Sequence, residues 1–196
     1  MKKLRHLPPI PILMSMDKLL IFLLLASPLK SIFAAPIPGT SSSELFAPKI
    51  GVHHSKYGFM IDGVSSNWLQ TQPPKKSRYI ETVYRSPEVK NETRATLTVR
   101  VDRLKKSLKL KNYVKRWVKE YPKYGYDVLG SKKFKSKGRR GYVIDLINSK
   151  KRRQLRQVIY LKNQTAVLMT CRDHVRSFKK SLRGCNKIVK SFTWVK

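Results

Sequence analysis

Between Gly141 and Asp173 the chain reads Gly-Tyr-Val-Ile-Asp-Leu-Ile-Asn, then Arg152 to Lys162, then Ala166 to Cys171. Each segment has the length and the β-branched and aromatic content of a strand. The polar breaks at Asn148 to Lys151 and at Asn163-Gln164 supply turns, so the spacing predicts an antiparallel three-strand meander. In its middle strand Leu155, Ile159 and Leu161 share one parity, while Arg152, Gln154, Arg156 and Tyr160 take the other. That alternation predicts one face on a core and one in water, with the solvated side a cationic surface. Ala166-Val167-Leu168-Met169 is apolar on both parities and should therefore lie centrally, covered on both sides. The cover is expected to follow at once, in a helix with Asp173 as its N-cap.

A chain that must bury such a strand needs further elements, and the sequence offers them in order. Residues 1 to 34 have the layout of an export signal: Lys2, Lys3, Arg5 and Lys18 precede an apolar core from Leu19 to Ala26, and Ser31 to Ala35 offers a cleavage site. The Pro-rich stretch before Met16 leaves Met1 and Met16 both as candidate starts, and the apolar run is short for a transmembrane helix. The alternative is an uncleaved signal anchor. Pro36 to Lys49, rich in Pro, Gly and Ser, reads as a flexible lead-in. The domain organisation expected is thus a signal over 1–34, a lead-in over 35–50 and one α+β domain over 51–196, exported to a periplasm or beyond.

Within that domain Tyr57 to Ile61 reads as a strand, Ser65 to Trp68 as a turn closed by a buried aromatic, and Tyr79 to Tyr84 and Ala95 to Val101 as further strands. Ala95, Leu97, Val99 and Val101 alternate cleanly with Thr96, Thr98 and Arg100. Asn112 to Tyr124 predicts a helix, because Tyr113, Val114, Trp117, Val118 and Tyr121 fall on one stripe and Lys115, Arg116, Lys119 and Lys123 on the other. Tyr126 to Phe134 is expected as a strand and Lys132 to Arg140 as a basic loop. From Asp173 onward Val175, Phe178, Leu182, Cys185, Ile188, Val189 and Phe192 repeat at three and four, with Gly184 either bending or breaking this last helix. Strands, helix, strands, helix make an α+β fold, an antiparallel sheet with helices packed against it.

Tyr57 to Ile61 leading to the Trp68 turn, a helix before the Gly141-Tyr142 hairpin, and a closing helix ending in Ser191-Phe192 together resemble the PsbP-like superfamily. That superfamily includes PsbP, the Ran-binding Mog protein and DcrB-like envelope proteins. The resemblance covers about residues 50–194 and implies an αβα sandwich without shared catalytic residues, in proteins that mostly serve as accessory or binding factors. Asn67 stands just ahead of Trp68, where family members commonly carry a Pro shortly before the Trp. No functional residue carries over.

The residues themselves give little chemistry and much charge. Cys171 and Cys185 are an even pair in a chain read as exported, which favours a disulfide over two buried thiols. His53 and His54 are adjacent and would point apart in a strand, a poor start for a metal site. No spacing pairs Asp62, Asp127, Asp145 and Asp173 as acid and base, and no nucleophile-elbow, zinc-protease, P-loop or dinucleotide fingerprint occurs. Neither a cofactor nor a metal is implied, and an enzyme, such as a hydrolase of an envelope polymer, has no support beyond those carboxylates.

Lys and Arg number 43 against 11 Asp and Glu, a formal net charge of +32, and cleavage after Ala34 would remove only five of the basic residues and one acidic one. Such an excess draws a protein to anionic membranes, envelope polymers or nucleic acid, although a uniformly basic proteome would give the same number. The candidate anion-binding set is Lys132, Lys133, Arg139, Arg140, Lys151, Arg152, Arg153 and Arg156, near strand ends and turns. Tyr160, on the parity of Arg156, could stack a base or sugar or be a covered strand aromatic. The function expected is an exported, non-catalytic binding or accessory protein of the cell envelope, with secreted nucleic-acid binding as its rival.

Overall fold

The computed structural model describes residues 51–73, 77–91, 93–136 and 138–195. The expected signal over 1–34 and lead-in over 35–50 lie outside the described residues, as does Lys137. The strands are β1 (Val52–Ser55), β2 (Phe59–Asp62), β3 (Leu69–Thr71), β4 (Ile80–Lys90), β5 (Thr93–Arg103), β6 (Asp127–Ser136), β7 (Arg139–Asn148), β8 (Arg153–Lys162), β9 (Thr165–His174) and β10 (Thr193–Trp194). Helix α1 (Leu110–Glu120) precedes β6 and helix α2 (Val175–Ser191) follows β9. Seven strands form one antiparallel sheet in the order β3-β4-β5-β9-β8-β7-β6, and β1, β2 and β10 form a small second sheet.

The meander of β7, β8 and β9 forms as the sequence predicts, and β9 takes the centre of the large sheet. Ala166, Val167, Leu168 and Met169 have no exposed surface. One face carries Ala166, Leu168, Ile159, Ile144 and Leu146 beneath Tyr113 and Val114 of α1 and Tyr121 just after it. The other carries Val167, Met169, Val158, Leu97 and Val99 beneath Phe178, Ile188 and Phe192 of the α2 layer, with Phe59 and Ile61 of the small sheet. The result is an α+β sandwich with helices on both sides of the sheet.

Tyr160 departs from the expected solvated face. It is 3% exposed and stacks on Phe192 with ring centres 4.2 Å apart and planes 6° from parallel. Its strand parity meets α2, so the middle of that face is core, and neither side of the sheet is wholly open. The N-cap of α2 is His174, whose Nδ1 accepts from the Arg176 N–H at 3.2 Å, rather than Asp173. Asp173 is buried inside β9, accepting from the His174 N–H and the Thr93 hydroxyl. The first helix begins at Leu110 and gives way at Tyr121–Tyr124 to a 3₁₀ turn, because Pro122 lacks the N–H that would continue it. The region expected as a basic loop is mostly strand: β6 runs to Ser136 and β7 starts at Arg139.

Helix α2 runs unbroken through Gly184. Trp68, anchored behind Asn67 at a positive φ of 55°, lies so close that a Cβ at position 184 would collide with its indole nitrogen. Cys185, one residue on, bonds to Cys171 of β9 across a Cα separation of 6.2 Å and so ties α2 to the central strand. Ser191 joins the helix end to the small sheet, accepting from the Asp62 N–H at 2.9 Å and lying 2.8 Å from the Asp62 carbonyl.

We expect reduction of the Cys171–Cys185 bond, or the double change to Ala, to lower stability by about 3 kcal/mol, the chain-entropy value for a loop of this size. Thermal melts with and without reductant measure it, and equal midpoints would refute it. We also expect Gly184→Ala to destabilise. The helix-propensity gain is about 1 kcal/mol, whereas overpacking against a buried indole costs roughly 1–3 kcal/mol. A stabilised variant in urea titration would contradict the packing of Trp68.

Candidate anion-binding surface

The sheet separates the candidate cations into groups. Lys132, Lys133, Arg139 and Arg140 sit near the β6–β7 hairpin, whereas Lys151, Arg152 and Arg153 sit in or beside the β7–β8 turn. The ten-residue strand β7 lies between the groups, a span of roughly 30 Å at the usual rise per residue. Asn148 Oδ1 fixes the second turn by accepting from the Lys151 N–H at 2.9 Å, and Arg152 closes it at a positive φ of 48°. Arg156 belongs to neither group. Its Nε and Nη2 grip the two oxygens of Asp145 at 2.7 and 2.9 Å. That fork holds the guanidinium more firmly protonated than usual and occupies the donors an outside anion would need.

Near the hairpin, register decides what each residue faces. Lys133 pairs with Tyr142 and Lys135 with Arg140, so these side chains share the α1 side of the sheet, while Lys132 pairs with Val143 and turns to the α2 side. Arg139 is partly spoken for: its Nη1 donates to the Thr193 hydroxyl and its Nη2 to the Lys190 carbonyl, at 3.2 and 3.3 Å. There it meets the negative end of the α2 dipole. On the α1 side a cleft of about 570 Å³ opens between the start of α1 and the hairpin. Leu110 and Tyr142 line it with apolar surface, and Lys111, Lys133, Lys135 and Arg140 line it with charge. The first turn of α1 carries no acidic residue and its N-cap, Lys109, makes no side-chain cap, so the positive end of that helix adds to the field.

Lysines on an edge strand such as β6 also serve to block pairing with other chains, and that accounts for Lys132. The outer faces of α1 and α2 are basic too, with Lys115 and Lys119 on one and Lys179 and Lys187 on the other, so charge alone singles out no side of the molecule. A second cavity of about 300 Å³ beside α2 is lined by Lys90, Lys180, Arg183 and Lys187. It is also lined by Asp173 and by Glu88, which is paired to Lys90 at 2.8 Å. Two acids thus stand among its four cations, whereas among the described residues the cleft beside the hairpin has no acid in its lining.

Of the candidate carboxylates, Asp62 accepts from the Val64 N–H at 2.8 Å, Asp145 holds Arg156, and Asp173 accepts from Thr93 and His174. His53 and His54 alternate inward and outward along β1. Burial pushes the His53 imidazole below its ordinary pKa, with Glu81 pulling the other way.

No family model and no curated protein matches the chain. Among solved structures its fold is PsbP-like. The solution structure of cyanobacterial PsbP (CyanoP) from Synechocystis sp. PCC 6803 superposes with a TM-score of 0.52 at 10% identity, over 80% of this chain and 98% of that one. A protein of unknown function from Pseudomonas aeruginosa, PA94, described as a putative regulator, gives 0.51 at 12% identity over 63% of this chain and 94% of its own. At such identities the likeness is one of fold.

Because Arg156 is held by Asp145 and Lys133 and Arg140 are not, we expect Arg156→Gln to shift elution from a heparin column less, per charge removed, than Lys133→Gln with Arg140→Gln. Equal shifts per charge removed would mean that the column reads bulk charge alone.

Proposed function

We propose that this is an exported, non-catalytic binding or accessory protein of the cell envelope that docks on an anionic membrane surface through the cleft between α1 and the β6–β7 hairpin. The observation that carries the reading is the make-up of that cleft: four cations and a helix N-terminus surround apolar surface from Leu110 and Tyr142. A purely polyanionic partner, such as nucleic acid, would need the charge without the apolar lining. An anionic lipid surface offers head groups to the cations and acyl or glycerol carbon to the apolar wall. The signal-like residues 1–34 and the Cys171–Cys185 bond support an oxidising location outside the cytoplasm, and the PsbP-like fold supports a role without catalysis.

The test is co-sedimentation with vesicles containing phosphatidylglycerol, and in parallel with duplex DNA, over a salt titration. Each cation near an anionic surface contributes about 1 kcal/mol. Lys133→Gln with Arg140→Gln should therefore weaken vesicle binding roughly thirtyfold, by about 2 kcal/mol. Lys115→Gln with Lys119→Gln, on the outer face of α1, should do much less. Equal losses from the two double variants would remove the cleft from the account. Tighter binding to DNA with a steep salt slope would favour a secreted nucleic-acid-binding protein instead.

A further inference from the structure

Beyond the cleft, the α1 side of the sheet holds a second feature near its opposite end. Helix α1 begins over the hairpin, and the turn after it reaches the other end of β7, where a Cβ on Gly125 would lie 3.3 Å from Asn148 Nδ2. At Gly125, with a φ of 76° and its N–H on the Pro122 carbonyl, the chain turns away into Tyr126 and β6. Beyond the strands packed beneath α1, Arg85 of β4 is exposed and Thr96 of β5 is half-buried.

Here the register sets Arg85 of β4 opposite Thr96 of β5, and Thr96 opposite Arg172 of β9. Three adjacent strands thus carry Arg, Thr and Arg in one row, with the two arginine backbones roughly 10 Å apart at normal strand spacing. Arg153, on β8, pairs with His174 while Arg172 pairs with Leu155. It is therefore the diagonal neighbour of Arg172 on the same face. Among the described residues, none of these three guanidinium groups pairs with a carboxylate: the acids that do hold cations, among them Asp102, Asp145 and Glu120, engage Arg100, Arg156 and Lys123. Between Arg85 and Arg172 the Thr96 hydroxyl is buried and has no hydrogen-bond partner. Burial, then Arg153, then Arg85 make protonation of Arg172 less favourable, and Tyr126 acts against them.

Like charges on neighbouring strand positions are destabilising, and a buried hydroxyl left unpaired adds to the cost. A single group answers both: an oxyanion with several acceptor oxygens. We infer that Arg85, Arg153 and Arg172, arranged around Thr96 on the open end of the sheet, form a binding site for a phosphate group, free or carried as an ester on a larger molecule. The planar forks of two arginines can each take two phosphate oxygens, and the Thr96 hydroxyl can donate to another. The site lies on an open face rather than in a closed cavity, which suits a phosphate presented by something larger. It stands at the other end of the sheet from the membrane-docking cleft and does not rest on that reading.

The experiment is a titration of the full ¹⁵N-labelled chain with inorganic phosphate, against chloride at matched ionic strength, followed by backbone amide and arginine Nε shifts. Saturable shifts confined to Arg85, Thr96, Arg153 and Arg172 are expected. Arg172→Gln and Arg85→Gln should each weaken the phosphate response at least tenfold. Lys133→Gln with Arg140→Gln should leave it intact. Melting temperature is the second readout: without phosphate at low salt Arg172→Gln should melt above the parent chain, and phosphate should raise the parent's midpoint and not the variant's. Glycerol phosphate binding as tightly as inorganic phosphate would place an esterified group in the site, and inorganic phosphate alone would place the free ion there. Shifts spread over the lysines without saturation, or an unchanged response in both arginine variants, would overturn the inference.

Discussion

Everything in this fold follows from the burial of β9. Ala166 to Met169 have no polar parity, so whichever way the strand faces, apolar surface must be covered. A strand in that position needs a neighbour on each edge and a layer on each face. The edges are filled by β5 and β8, and the faces by α1 and α2. The disulfide from Cys171 to Cys185 makes one of these contacts covalent. The aromatic stack of Tyr160 on Phe192, with Phe134 meeting Tyr160 edge-on at 5.8 Å, extends the same layer toward the hairpin. Core terms of this kind leave the outside of the molecule free to carry cations.

That freedom explains why net charge is a poor guide to function here. Both helices present basic outer faces, which is what amphipathic helices of a very basic chain do. What separates a site from a solvated surface is context. Arg156 is charged but committed to Asp145, and Arg139 is committed to the end of α2. Among the described residues Lys133 and Arg140 are uncommitted and stand around apolar surface, and Arg85, Arg153 and Arg172 are uncommitted and stand around an unpaired hydroxyl.

How much of this could be read from the sequence depended on whether the signal was local. The meander, the long alternation of β5 and the stripes of α1 and α2 are periodic over many residues, and the structure contains each of them. The PsbP-like order of elements rested on the same patterns. Strands β1, β3 and β10 have two to four residues each, too few for a period to stand out. Strand β6 was legible over Tyr126 to Phe134, but its end and the start of β7 were not, because Lys132 to Arg140 read as loop and the pairing of the two strands overrode that weak β-propensity. Tyr160 is the covered strand aromatic of its two readings; what alternation could not show is that a later helix covers the middle of the face expected to be solvated. The arginine row could not be seen at all: Arg85 and Arg172 are far apart in the chain and meet only through the register of β5, which no local pattern encodes.

The most direct measurement of the central claim, that committed and uncommitted cations divide the surface of a rigid sandwich, is an amide hydrogen-exchange footprint with and without phosphatidylglycerol vesicles. Strand β9 should exchange slowest in both states. Added protection should be confined to the start of α1 and the β6–β7 hairpin, with the outer face of α2 unchanged. Protection distributed over every basic segment alike would contradict it, because contact would then follow charge wherever it lies.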